Sequence, residues 1–506
     1  MRRFILGLGL LSFVAGSAVS SDGLRVAAWN ISNYSGGNTA AITTAVYGTF
    51  TGHEFAPDVI LLQEMTSASA VSSLVSALNL GLGEPGEWVA APFFGGSSGG
   101  LNTALVYRES RLDLVAATLL WSGSASQQPR NIVRYDLRLE GYGSDEALIS
   151  MYPVHMKAGS SSDDQQRRLL EAQRIRENAE TLPAGRHFIL GGDTNTQSSS
   201  QPGYVELVGV QANNAGRFFD PIAAPGSWNN SSAYRNIHTQ DPVGGGGMDD
   251  RHDQLLSSAT LGDGEGLEYI GAFGQPWDLS RWDDPAHSYR CWGNDGSSFN
   301  LALRTDGNVA VGAVIAQSLR TLGGASGHLP VFMDLRVPAR VGSDLAIDFG
   351  TVEVGAAAEA TLGVFNAGDT ALWGVGGVGD LGYTLSAPAG FSAPAGSFSE
   401  AAGGGLNTHL ITMDTSTPGV FAGTLLVLSN DPEEPVRAVS LTGEVVGASC
   451  AADLAAPFGV LDLADINAFT AGFLGQDPIA DLAPPSGVLD LADINAFVDS
   501  FASGCP

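Results

Sequence analysis

The 506-residue chain is poor in cysteine, in positive charge and in long apolar runs. Three cysteines are too few for a disulfide framework, so the core must be held together by packing. Lys and Arg number 24 against 53 Asp and Glu, which gives a net charge of −29. Such a chain is a poor non-specific binder of polyanions, because that affinity comes largely from neutralising phosphates. Any anionic substrate must therefore be bound by a local patch of positive charge and by metal ions.

The longest apolar stretch lies at the N-terminus. Met1-Arg2-Arg3 precede an apolar segment up to Gly16, and Ala18-Val19-Ser20 has the small-x-small form of a signal-peptidase site. We therefore predict a cleaved signal peptide over residues 1–20 and a secreted or cell-surface protein. No other run approaches the roughly 20 apolar residues of a membrane span, so none is expected in the mature chain.

Changes in composition and hydrophobic pattern along the remaining sequence predict three domains. Residues 21–337 alternate apolar strand-like runs with loops and one clear helical pattern from about Asp163 to Thr181, which predicts an α/β or α+β domain with a large buried sheet. Residues 341–446 hold short β-rich runs between Gly, Pro, Asn and Asp turns, which predicts a β-sandwich. Residues 450–506 contain an internal repeat.

One run in the first domain is the most informative for chemistry. An apolar segment over 187–190 stops at Gly191-Gly192 and then presents Asp193 and Asn195 on the same side of an extended backbone. A carboxylate and a carboxamide placed in this way can converge on one hard cation or one phosphate. Taken alone, the run is more typical of a plain turn with Asx capping.

Six polar clusters follow strand-like runs along residues 21–337. They are Trp29-Asn30, Gln63-Glu64, His155-Met156-Lys157, Gly191-Gly192-Asp193-Thr194-Asn195, Asp250-Arg251-His252-Asp253 and Ser326-Gly327-His328. In this order the clusters resemble the endonuclease/exonuclease/phosphatase superfamily, whose members hydrolyse phosphoesters with a divalent metal. The resemblance implies an α/β four-layer sandwich of two β-sheets flanked by helices.

The resemblance also implies a metal site. Glu64 would be the main ligand of Mg²⁺ or Mn²⁺, with Asn30 and Asp193 beside it, since magnesium prefers one or two carboxylates and keeps several waters. Asp193 would also face the attacking water.

The remaining members of the set would carry the reaction itself. The resemblance places His155 and Asn195 at the phosphate oxygens, where they stabilise the charge of the transition state. Asp253 would orient His328, fixing the tautomer of an imidazole that acts as acid or base near neutral pH.

One position departs from the family pattern. The family has Ser-Asp-His before its last histidine, and this chain has Ser326-Gly327-His328. Because the lost carboxylate belongs to the metal environment, we expect weaker metal binding, and the number of metal ions is left open. Asp249 and Asp250, which follow a run of four glycines, are candidate substitutes.

Additional positive charge near the phosphate is less well defined. Arg134 and Lys157 are candidates for it. The predicted helix also carries four arginines, whose simplest interpretation is a solvated face with i,i+4 pairing and whose alternative is phosphate steering. These are Arg167, Arg168, Arg174 and Arg176.

The two C-terminal domains offer no catalytic cluster. In the second, 348–355 and 429–432 resemble the immunoglobulin-like modules of secreted bacterial proteins, for which a spacer role is expected. In the third, residues 453–469 recur at 481–497, and each copy resembles the calcium loop and helix of a dockerin. Candidate Ca²⁺ ligands are Asp453, Asp462, Asp465, Asp481, Asp490 and Asp493.

The repeat departs from the dockerin pattern, because Ala, Pro, Phe or Ser replaces the acidic residues expected third and fifth in each loop. Calcium binding and a metal-free helical pair closed by a Cys450–Cys505 disulfide are therefore equal alternatives. A cohesin-like or cell-surface partner is expected for this tail.

Together these features predict a secreted, monomeric, metal-dependent phosphodiesterase that hydrolyses extracellular DNA or RNA. One alternative is a phosphatase or phospholipid phosphodiesterase of the same superfamily, which is less favoured because no apolar hairpin suited to a bilayer is evident. The other is a non-catalytic surface or assembly protein whose site is degenerate at Gly327. Retention of the other motif residues argues against it.

Overall fold

The computed structural model describes residues 22–83, 86–324, 327–447 and 450–504. The predicted signal peptide over 1–20 and the predicted disulfide partner Cys505 lie outside these ranges. Within them, no helix combines the length and the apolar character needed to cross a membrane.

The first domain alternates strands and helices, as its sequence predicts. Its strands are β1 (Leu24–Tyr34), β2 (Thr49–Phe50), β3 (His53–Glu54), β4 (Val59–Met65), β5 (Trp88–Ala90), β6 (Asn102–Arg108), β7 (Leu112–Trp121), β8 (Ile132–Leu139), β9 (Leu148–His155), β10 (His187–Asp193), β11 (Asp253–Ser257), β12 (Glu268–Tyr269), β13 (Arg290–Cys291) and β14 (Val331–Arg336). Its helices are α1 (Thr39–Tyr47), α2 (Ala68–Leu82), α3 (Ser162–Ala179), α4 (Pro202–Val208) and α5 (Gly312–Gly323).

Two sheets form the centre of this domain. One has the order β12-β14-β1-β4-β6-β5, with β13 also paired to β14, and the other has the order β11-β10-β9-β8-β7. Strands β1, β4 and β6 pack against β9, β10 and β11, so the faces between the sheets are buried. Helices α1, α2 and α5 lie on the first sheet, and α3 and α4 lie on the second. The domain is thus a four-layer sandwich.

Helix α3 lies where the sequence predicts it, but two of its arginines are buried and not exposed to solvent. It begins at a capping box in which the Ser161 hydroxyl accepts from the Asp164 backbone N–H while the Asp164 side chain accepts from the Ser161 N–H. Arg168 and Arg176 of this helix are fully buried, so the expectation of a solvated arginine face is wrong for these two. Their guanidinium groups donate to loop carbonyls, among them that of Gly159 at 2.8 Å. They therefore tie loops to the helix.

The second domain is β-rich, as predicted. It contains β15 (Val341–Ser343), β16 (Ala346–Glu353), β17 (Glu359–Asn366), α6 (Thr370–Trp373), β18 (Leu381–Ser386), β19 (Phe391–Ser392), β20 (Ser397–Glu400), β21 (Asn407–Met413), β22 (Gly419–Ser429) and β23 (Val436–Val446). One sheet has the order β15-β17-β21-β19 and the other β16-β23-β22-β18-β20, with a shared apolar core between them.

This second domain is packed directly on the first, which the expected spacer role did not anticipate. Trp373 is 1% exposed and belongs to the hydrophobic core of the first domain. Its carbonyl accepts from the Gly23 N–H at 2.6 Å, and the Arg111 guanidinium lies 4.9 Å from its ring centre. At a second contact, the Glu433 carboxylate accepts from the Gly143 and Ser144 N–H groups at 2.9 and 2.7 Å.

The tail contains two helices, α7 (Leu463–Gly475) and α8 (Leu491–Ser503), one from each repeat. Phe469 and Phe497 occupy equivalent positions in the repeats and stack with ring centres 4.2 Å apart. Asp462 and Asp490 cap the N-termini of the two helices. The repeat therefore builds a small two-helix core.

We predict that Trp373→Ala destabilises the protein by about 3–5 kcal/mol, because it empties an aromatic site in a core that both domains share. Urea denaturation followed by circular dichroism measures the effect. The exposed Val375→Ala in the same segment is the control and should change the free energy of unfolding by less than about 0.5 kcal/mol. Equal midpoints for the two variants would show that the sandwich does not stabilise the first domain.

Candidate active site

The topology brings most of the predicted site residues to one edge of the two sheets. Strand β1 runs parallel to β4, and β9 runs parallel to β10, so Asn30, Glu64, His155 and Asp193 lie towards the same ends of their strands. Strands β11 and β14 run in the opposite direction, so residues at their beginnings reach the same edge. In the register of the second sheet, Asp193 lies opposite both His155 and Asp253.

His328 and Asp253 form a buried pair, as the resemblance implied. The Nδ1 of His328 lies 2.6 Å from Oδ2 of Asp253. Burial lowers the pKa of His328, but the carboxylates of Asp253 and Asp193 outweigh it and raise this pKa to about 10. The His328 side chain is therefore an imidazolium at neutral pH, with Nε2 3.9 Å from Oδ2 of Asp193.

His155 has the opposite character. Burial, together with the positive charges of Arg130 and His328, outweighs the attraction of Asp193 and lowers the pKa of His155 to about 3. Its Nε2 lies 3.4 Å from Oδ2 of Asp193. The site thus holds one neutral and one charged imidazole around a single carboxylate. Such a separation of pKa values is typical of groups with different acid–base roles.

Asp193 lies at the centre of this arrangement. Burial raises the pKa of its carboxyl, but His328, His155 and His252 together hold this pKa below its usual value. Its Oδ1 accepts from the Asn195 backbone N–H at 3.0 Å. The amide of Asn195 donates to the Met156 carbonyl at 3.1 Å, so part of this side chain holds the loop in place.

The residues predicted to hold the metal fit a hard cation. The Nδ2 of Asn30 lies 3.3 Å from both Glu64 Oε1 and Asp193 Oδ2, so two carboxylates face one amide. The other amide atom, Oδ1 of Asn30, is buried without a hydrogen-bond partner. Glu64 has a left-handed backbone with φ of 61°, in a stretch where the pairing of β4 with its neighbours shifts register. Two carboxylates and an amide oxygen are a donor set suited to Mg²⁺ or Mn²⁺.

Arg130 is a site residue that the sequence did not reveal. Its Nη2 lies 3.2 Å from Nε2 of His155, and the side chain is buried. The two residues considered for this role lie elsewhere: Arg134 donates to Asp136 and Lys157 binds Asp164 at 2.7 Å. Arg130 precedes β8 in a segment without a distinctive pattern, so only the fold identifies it.

Position 327 is closed to a side chain. A Cβ atom on Gly327 would lie 1.9 Å from the carbonyl oxygen of Gly323, at the end of α5. The carboxylate that the family pattern places here therefore cannot be restored without moving the backbone. Of the two candidate substitutes, Asp250 is buried, with Oδ1 accepting from Asn229 at 2.9 Å. Ser326 lies outside the described residues.

In neither repeat do the three predicted aspartates form a group that could hold a metal ion. Asp465 accepts from the N–H groups of Leu454 and Ala455, and Asp493 does the same in the second repeat. Across the described ranges, no group of three or more His, Cys, Asp or Glu side chains could hold a metal ion. Calcium binding by the tail stays a prediction that this geometry does not support.

Comparison with known proteins adds to this geometry. The sequence model described as "Endonuclease/Exonuclease/phosphatase family" matches residues 27–259. This part of the chain is therefore similar to that family. No curated protein matches the chain.

Solved structures with similarity to the chain have low identity and low TM-scores. A humanized TDP2 of D. rerio is 14% identical, with 62% of this chain and 99% of that chain covered and a TM-score of 0.35. Beta toxin of Staphylococcus aureus is 14% identical, with 61% and 99% covered and a TM-score of 0.34. An endonuclease/exonuclease/phosphatase of Bacteroides vulgatus is 11% identical, with 62% and 98% covered and a TM-score of 0.37.

In the first domain, a buried ion pair anchors the segment that carries Asp253. The guanidinium of Arg251 donates to both carboxylate oxygens of Asp220, at 2.8 and 3.0 Å. Its Cζ also lies 5.3 Å from the ring centre of Trp228. Burial raises the pKa of Asp220, but Arg251 outweighs it, and the pKa lies below its usual value.

We predict that Asp220→Asn destabilises the domain by about 3–5 kcal/mol, because it leaves the buried Arg251 without its counter-charge. Since the folded-state pKa of Asp220 is depressed, its contribution is present above the unfolded pKa and is lost as the pH falls through the folded pKa. Urea denaturation between pH 7 and pH 3 measures both effects. The exposed Asp306→Asn is the control. A variant as stable as this control would contradict the anchoring role.

Proposed function

We propose that the protein is a secreted, divalent-metal-dependent phosphodiesterase that hydrolyses DNA or RNA. The observation that carries this proposal is the convergence of the His328–Asp253 pair, His155 and Glu64 around the Asp193 carboxylate. Phosphoester hydrolysis needs a base, an acid, donors for the phosphate and a counter-charge, and this cluster offers each of them.

The charges of the side chains indicate their roles. The Asp193 carboxylate, which its low pKa keeps ionised, orients the attacking water and accepts its proton. The His328 imidazolium donates a proton from Nε2 to the leaving oxygen, and Asp253 keeps the Nδ1–H directed away from the substrate. Neutral His155 and the Arg130 guanidinium beside it provide donors for the phosphoryl oxygens.

Glu64, Asp193 and Asn30 would hold the metal. A bound Mg²⁺ or Mn²⁺ would neutralise the phosphate and polarise it towards attack. Nucleic acid is a polyanion, and an acidic chain can bind it only where positively charged groups and metal ions are concentrated. The cationic groups of this site are consistent with such a substrate.

We predict that the mature protein nicks supercoiled plasmid DNA or degrades RNA in Mg²⁺ or Mn²⁺, and that a chelator abolishes the activity. His328→Ala should lower kcat by at least about 100-fold, because the acid is lost. The control His53→Gln changes an exposed histidine of the same domain and should leave kcat unchanged.

If the mature protein cuts neither DNA nor RNA but cleaves a chromogenic phosphodiester or a phospholipid, its substrate belongs to the alternative class of small phosphoesters or phospholipids. Loss of all phosphoesterase activity in the folded protein would overturn the enzyme proposal in favour of a binding protein.

We predict that Asp253→Asn shifts the alkaline limit of activity to lower pH. In the wild type His328 stays protonated until the pH approaches its pKa of about 10. Without the Asp253 carboxylate that pKa falls towards its ordinary value of about 6.5. About a quarter of His328 would then be protonated at about pH 7, so the acid is lost at lower pH and kcat at about pH 7 falls about fourfold. The pH profile of kcat/KM on a chromogenic phosphodiester measures this shift, and an unchanged profile would exclude His328 as the acid.

A further inference from the structure

His252 is a buried histidine that the proposed reaction does not use. Its side chain is 6% exposed, and neither ring nitrogen has a hydrogen-bond partner among the described residues. Buried polar atoms are normally paired, so an imidazole with two open nitrogens indicates a ligand. The ring lies at the edge of the active site, with its centre 6.2 Å from that of His328.

The charges around His252 favour a cation over a phosphate. Oδ1 of Asp250 lies 3.8 Å from Nε2 of His252. The carboxylates of Asp193 and Asp241 also interact electrostatically with His252. The three carboxylates outnumber the single His328 imidazolium, whose ring centre is 6.2 Å from that of His252, so these groups attract a divalent cation and repel an anion.

His252 and Asp250 lie close to position 327, where the family pattern has a carboxylate and this chain has glycine. The backbone N–H of Asp241 donates to the Gly327 carbonyl at 3.1 Å, so the loop that contributes acidic groups here touches the residue that cannot carry a side chain. Asp250 and His252 are two residues apart, and Arg251 between them is anchored by Asp220. The pair is therefore held in a rigid segment.

We propose that His252 and Asp250 form a second divalent-cation site, separate from the Glu64–Asn30 site. Two protein ligands leave the other coordination positions to water and to a phosphoryl oxygen. An imidazole nitrogen favours Mn²⁺, Co²⁺ or Zn²⁺ over Mg²⁺ or Ca²⁺. The site's role in catalysis rests on the proposed phosphodiesterase function, since it would supply charge that the carboxylate at position 327 supplies elsewhere in the family pattern.

Mn²⁺ titration of the full mature chain, followed by electron paramagnetic resonance, tests this proposal without using activity. Wild type should bind two Mn²⁺ ions. His252→Gln should weaken one of them at least about tenfold, because a direct ligand is lost, and Asp250→Asn should weaken the same one. Glu64→Gln should weaken the other, and His53→Gln should weaken neither. Circular dichroism checks that each variant is folded.

Anomalous scattering from Mn²⁺-soaked crystals of the wild type provides a second measurement that needs no variant. A peak within coordination distance of His252 and Asp250 is the expected result. No peak there, or one Mn²⁺ ion whose affinity is unaffected by His252→Gln, would overturn the site. Two bound Mn²⁺ ions in a protein that cleaves no phosphoester would instead refute the proposed function and retain the site.

Discussion

The active site depends on the buried carboxylate of Asp193. In the second sheet this residue lies opposite His155 on the parallel side and Asp253 on the antiparallel side, so one strand position sets the spacing of three functional groups. Asp253 then positions His328 through a 2.6 Å contact that joins the second sheet to the residue preceding the first sheet's β14. A shift of one residue in either pairing would reverse which side chains face this edge and would disperse the group.

Charge compensation explains how a chain with a net charge of −29 can address a phosphate. Asp253 and Asp193 share the positive charge of His328, and Arg130 lies against His155 within the same cluster. His328 is held in the charged form and His155 in the neutral form by their different neighbours. The excess negative charge is concentrated in the two C-terminal domains, where residues 341–506 contain 20 acidic residues and a single basic one.

The sequence was a good guide wherever a residue's role depends on its own strand. Polar groups at strand ends located Asn30, Glu64, Asp193 and His328, and the helical pattern from about Asp163 to Thr181 located α3. It was a poor guide wherever the role depends on a distant partner. Arg130, the burial of the α3 arginines and the docking of Trp373 arise from contacts between segments far apart in the chain, and no local periodicity encodes them.

Gly327 matters both in the local sequence pattern and in the contacts between distant segments. As a sequence feature it is a missing carboxylate, but in the structure it is a close approach between the end of α5 and the loop before β14. The backbone path at position 327 leaves no space for a side chain, and this same backbone path therefore excludes the carboxylate and its charge. Charge that replaces the lost carboxylate must then come from other segments, and the rigid segment held by Arg251 and Asp220 presents both an acid and an imidazole near His328.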